Sequence, residues 1–163
     1  DCGNRRMTSS ASRKTVYQPE GRVLAFPACP TSSRIMPALE TLDDSQRILL
    51  DRLRWLALRS RLAPKPNLEK ACFLLAAGRE ASLERYSVCF FRGLADHARR
   101  DMEIYRPGAR AVSDDETWLL RLMAAWRRNE PRAAAALVAW RVEPSHQRWL
   151  RFLSEGLSTA LDA

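Results

Sequence analysis

The sequence predicts an all-α protein, a single-domain bundle of five or six helices over residues 41–163. A mostly disordered N-terminal arm is expected over residues 1–40. Three observations carry this reading. Apolar residues recur every three or four positions through the chain after residue 44. Helix-start punctuation, either an oxygen-bearing cap or an early proline, stands before the apolar runs. The prolines crowd the front of the chain: Pro19, Pro27, Pro30, Pro37 and Pro64 all precede residue 65. Essentially no sheet is expected.

The arm is polar in "MTSSASRKTVYQPEG" and proline-broken in "FPACPTSSRIMP", which opposes a packed core. The first helix spans 44–62. Asp43 or Asp44 can cap it, with Gln46 in capping-box position after Asp43, and Pro64 and Pro66 end the helix. At 100° per residue Leu49, Leu50, Leu53, Leu56 and Ala57 form its core stripe. Arg47, Arg54 and Arg61 line one flank, and Arg52 and Arg59 the other. Ile48, Trp55, Leu58 and Leu62 lie roughly opposite the core stripe, so this helix is apolar on two sides and is suited to meeting a partner.

Asn67 is the cap expected for the second helix, "LEKACFLLAAG". A third helix is expected over 80–100, with Leu83, Tyr86, Phe90, Leu94 and His97 recurring at helical spacing. The Pro-Gly pair in "EIYRPGARAV" marks a turn or short extended link. Ser113 with Glu116 is a second capping box, with Asp114 and Asp115 in the first turn and Arg127 and Arg128 closing the helix. Asn129 and Pro131 start the next helix and Pro144 the last. The alanines at 133–136 allow close backbone approach. Trp140 and Trp149, on either side of a tight turn, are expected to pack between helices. Leu150, Leu153, Leu157 and Leu161 make an unbroken core stripe.

With 46% hydrophobic and 28% charged residues, the composition is that of an ordinary globular domain. No apolar run is long enough for a transmembrane helix, no secretory signal is evident, and cytoplasm is the default location. Cys2, Cys29, Cys72 and Cys89 form no CxxC pair, and Cys72 and Cys89 read as buried thiols. The formal net charge is +8, and most of the excess lies on residues 47–79. The basic groups are overwhelmingly arginine, which GC-rich coding also produces, so arginine number alone argues little.

Chemistry-bearing patterns are sparse. His97 and His146 are the only histidines. A metal reading would pair His97 with Asp101 on one helix face and would need a second histidine or a cysteine from elsewhere; solvated charge at a helix end is the simpler account. No GxSxG, HExxH, Walker or GxGxxG pattern occurs. Capping explains Asp114, Asp115 and Glu116 without a metal. No catalytic residue, metal or cofactor is therefore expected.

Residues 105–138 resemble small helical proteins of GC-rich bacteria and ligand-sensing helical domains of transcription regulators. The likeness is one of capping and packing and assigns no family. The expectation is a non-enzymatic bacterial regulatory or adaptor module. It acts through a protein partner or as a homodimer, with Ile48, Trp55, Leu58 and Leu62 as the contact face. The first alternative is a nucleic-acid-associated factor using Arg47, Arg52, Arg54, Arg59 and Arg61. The second is a small-molecule-sensing helical domain. No membrane role is expected.

Overall fold

Six α-helices follow one another in the computed structural model, which describes residues 41–76 and 82–163: α1 Asp44–Leu62, α2 Leu68–Ala76, α3 Leu83–His97, α4 Asp114–Arg127, α5 Pro131–Arg141 and α6 Gln147–Asp162. A 3-10 turn, Pro144–His146, leads into α6. The arm expected over 1–40, with Cys2 and Cys29, lies outside the described residues. Among those residues there is no strand, and Ala98 and Val142 form an isolated antiparallel bridge. No helix there is long and apolar enough to cross a membrane.

The local signals place the helix ends. The Asp43 carboxylate accepts from Gln46 N at 2.8 Å, and Gln46 returns the bond, closing the capping box of α1. The Asn67 side chain accepts from Lys70 N at 3.0 Å at the head of α2. Ser113 and Glu116 make the same reciprocal pair at α4. Asn129 has another role than the one expected. Its φ of 54° is left-handed, its N–H bonds back to Trp126 O, and Glu130 N bonds to Ala125 O. Asn129 therefore terminates α4 rather than starting α5, because a helix C-terminus needs a left-handed residue that asparagine tolerates. The chain from Ala98 to Ser113 has no helix of its own. It turns at Pro107-Gly108, where Gly108 has φ 79° and Ala109 N bonds to Arg106 O.

α6 organises the core. It packs on α3, α4 and α5, and Leu150, Leu153, Leu157 and Leu161 are all buried. α1 packs on α3 and α4 through Leu49, Leu50, Leu53 and Ala57. Two indoles pin α4: Trp118 Nε1 donates to Leu137 O at 3.0 Å, and Trp126 Nε1 donates to Ser154 Oγ at 2.9 Å. The expectation that Trp140 and Trp149 both pack between helices holds for one of them. Trp149 lies against the core, whereas Trp140 is 63% exposed, because α5 turns that face to solvent.

The α3–α6 crossing is close enough to require a glycine. A Cβ at Gly93 would stand 2.6 Å from the Trp149 ring and 3.2 Å from Leu150 Cδ2. Gly93→Ala gains up to about 1 kcal/mol of helix propensity. Overpacking against the indole costs roughly 1–3 kcal/mol. The expected net result is a destabilised bundle in urea unfolding; equal or greater stability would show that the indole withdraws freely.

Candidate functional site

Among the described residues, four of the six large hydrophobic side chains that stay exposed lie on the outer side of α1. Leu49, Leu50, Leu53, Leu56, Ala57 and Ser60 turn inward, leaving Ile48 at 65%, Trp55 at 53%, Leu58 at 36% and Leu62 at 80% exposure. Ile48, Trp55 and Leu62 stand seven residues apart, with Leu58 three after Trp55. That is the a and d spacing of a helix-pairing seam. Asp51 occupies the remaining d position, and its carboxylate accepts from Gly108 N at 3.2 Å. The seam runs along a 19-residue helix, about 28 Å of surface.

The arginines beside the seam do not form the two continuous lines expected. Arg54 is 2% exposed and cannot reach a phosphate; α4 presents Glu116 to it inside the bundle. Its Nε and Nη2 donate to the Glu116 carboxylate at 2.7 and 2.9 Å, and Nη1 and Nη2 donate to Ala109 O and Ala111 O at 2.7 Å each. Arg54 therefore leaves the candidate nucleic-acid set. Arg47 pairs with Asp44 on its own helix, Arg52 donates to Leu161 O at 3.1 Å, and Arg59 meets Glu84 at 3.2 Å. Arg61 is exposed. Exposed ion pairs of this kind hold their cations weakly, so Arg47, Arg52, Arg59 and Arg61 still present positive charge along both edges of the seam.

The acidic start of α4 does more than cap a helix. Glu116 also accepts from Tyr105 N at 2.9 Å and Ser113 N at 3.0 Å. Asp115 is buried, pairs with Arg141 of α5, meets Arg100 at 3.3 Å and accepts from Glu103 N at 2.8 Å. Burial, and secondarily the charge of Arg100, pulls the Arg141 guanidinium below its ordinary pKa. These carboxylates are anchors that fasten the 98–113 segment onto the bundle. No family model, curated protein or solved structure matches this chain.

A second cluster forms at the end of α3. The pairing of His97 with Asp101 on one helix face does not occur, because α3 ends at His97 and Ala98 turns extended into the bridge with Val142. A second histidine reaches His97 instead. The imidazoles of His97 and His146 stack with centroids 3.5 Å apart and planes 9° apart. Trp149 stands edge-on to both, at 5.7 and 5.8 Å. His146 Nδ1 lies 2.8 Å from Ser145 Oγ and 3.6 Å from Glu143 Oε2. The two rings open on a cavity of about 450 Å³ that Cys72 and Glu69 also line. Burial pushes the Cys72 thiol up, so it stays protonated and is a poor nucleophile. Cys89 is 1% exposed in the core.

Proposed function

We propose that this protein is a non-enzymatic helical binding module whose outer α1 face docks an acidic amphipathic helix of a protein partner. The observation carrying this reading is the exposed Ile48, Trp55, Leu58 and Leu62 seam at heptad spacing, edged by Arg52 and Arg59 on one side and Arg47 and Arg61 on the other. The apolar residues supply area, and Trp55 has the character of an interface anchor. The arginines occupy the e and g positions, which select the partner by charge. A second copy of the chain would bring arginine against arginine whether the helices ran parallel or antiparallel. Charge therefore favours a partner with glutamates at its own e and g positions over a homodimer. Loss of Arg54 from the surface leaves a basic border around an apolar strip, which suits a helix better than a phosphate backbone.

A synthetic helix with leucine at a and d and glutamate at e and g tests the reading, with a lysine-edged twin as control. The full chain is expected to bind the acidic helix and not the basic one. Trp55→Asp is expected to weaken binding about 30-fold or more, as loss of about 2 kcal/mol from a hot spot implies. Because Trp55 is exposed, its substitution leaves the unfolding midpoint nearly unchanged. Equal affinity for both peptides, or an undiminished Trp55→Asp complex, removes the proposal. A dimeric light-scattering mass that Trp55→Asp abolishes would assign the face to self-association. Binding of generic duplex that depends on Arg52 and Arg59 but not Trp55 would assign it to nucleic acid.

A further inference from the structure

We propose that His97, His146 and Glu143 form a binding site for one divalent ion of the zinc class, independent of the α1 face. A ligand atom from each of the three residues lies within 4.8 Å of the other two. Two neutral imidazoles and a carboxylate are a donor set for zinc and its borderline neighbours, and a poor one for calcium or magnesium, which take oxygen ligands.

The main chain brings these side chains together and holds them. His97 is the last residue of α3, Glu143 caps the 3-10 turn before α6, and His146 is the last residue of that turn. The bridge between Ala98 and Val142 joins the two segments, and Glu143 N donates directly to the carbonyl of His97 at 3.1 Å. Arg99 N bonds to Arg141 O at 2.9 Å on one side, and His146 N bonds to Glu143 O at 3.0 Å on the other. The ligand-bearing backbone is therefore fixed by three hydrogen bonds, two of which constitute the bridge, so little ordering remains for an ion to impose.

The side chains are close to a coordinating arrangement without having reached it. Zinc holds its nitrogen and oxygen ligands at about 2.0–2.2 Å, which places them roughly 3–3.5 Å from one another. Cofacial rings direct their lone pairs side by side rather than at a common point, so ion capture turns the imidazoles out of the stack. Trp149 touches the edges of both rings and would sense this movement. The Ser145 hydroxyl at Nδ1 of His146 is an outer partner of the kind that orients a ligating imidazole. Three protein ligands leave a fourth position, and the two imidazoles border a cavity that Glu69 and Cys72 also line.

The test exploits the presence of only two histidines in the chain. Zinc sulfate is titrated into the full chain under reducing conditions, and the imidazole ring protons are followed by carbon–proton correlation NMR beside calorimetry. The expected result is one ion per chain, with both ring signals moving together and Trp149-dependent fluorescence changing in step. His97→Ala and His146→Ala are each expected to weaken binding by more than the roughly 10–100-fold that an outer partner costs. Glu143→Gln, which keeps the shape of an exposed side chain, is expected to lose tenfold or more, and Cys72→Ser is expected to retain the site. Circular dichroism of each variant separates loss of the ion from loss of the fold. The proposal is overturned if neither ring signal moves, if His97→Ala binds as the parent does, or if Cys72→Ser alone abolishes binding.

Discussion

Arg54→Ala is expected to destabilise the bundle by about 3–5 kcal/mol, because it removes one partner of a buried ion pair and strands the other. Glu116 is fully enclosed and accepts from Arg54, Tyr105 N and Ser113 N. Without the guanidinium its charge has no counter-ion at bonding distance among the described residues. The pair itself is not the source of the stability, since desolvating two charges costs about as much as their attraction returns. The companion variant distinguishes these accounts. Arg54→Met with Glu116→Gln removes both charges; because Tyr105 N bonds Oε1 and Ser113 N bonds Oε2, the single glutamine oxygen keeps one of these donors and its NH2 faces the other. Ala109 O and Ala111 O lose their donor, but Ala111 is exposed and Ala109 half-buried, so water can replace it. The double variant is therefore expected to regain part of the loss in urea unfolding, the rest remaining with the backbone N–H that no longer has an acceptor. A double variant as unstable as Arg54→Ala would mean that fastening the 98–113 segment, rather than balancing charge, is the task of Arg54.

The same pair shows which parts of this molecule were legible in its sequence. Capping boxes at Asp43 and Gln46 and at Ser113 and Glu116 span three residues, so the sequence contains the whole interaction, and both form as expected. The leucine stripe of α6 is equally local, because periodicity alone fixes a face. The angular position of Arg54 on α1 was also readable, and it matched Arg47 and Arg61. What could not be read was the carboxylate 62 residues away that draws Arg54 inward. His97 and His146 repeat the lesson: their contact depends on a bridge between Ala98 and Val142 that no periodicity announces. An acid in the first turn of α4 satisfies the local capping rule whether or not an arginine from another helix also needs it, so the local explanation hid the distant one. Trp140 and Trp149 each stand beside an arginine in sequence, and only the packing of α5 and α6 separates the exposed ring from the half-buried one. The seam on α1 was visible because exposure there is the default outcome of a helix with more apolar residues than one buried face can absorb.

Leu153→Ala is expected to cost about 2–5 kcal/mol, and no second substitution of the kind available to Arg54 would offset it. Leu153 has no exposed surface and lies midway along the α6 stripe, on the helix that α3, α4 and α5 all pack against. Truncation removes apolar area from water-excluded contact and leaves a void in the core. Its neighbour Ser154 accepts from the Trp126 indole of α4 at 2.9 Å, a bond between helices that resists rotation of α6 into the space. The cost should therefore fall in the upper part of that range. Leu153→Met, which nearly conserves volume, is expected to lose less than about 1.5 kcal/mol. Urea unfolding of the pair decides the point. A Leu153→Ala loss as small as that of Leu153→Met would mean that α6 shifts to close the cavity, and that the helix on which the bundle is built is less firmly seated than its buried leucines imply.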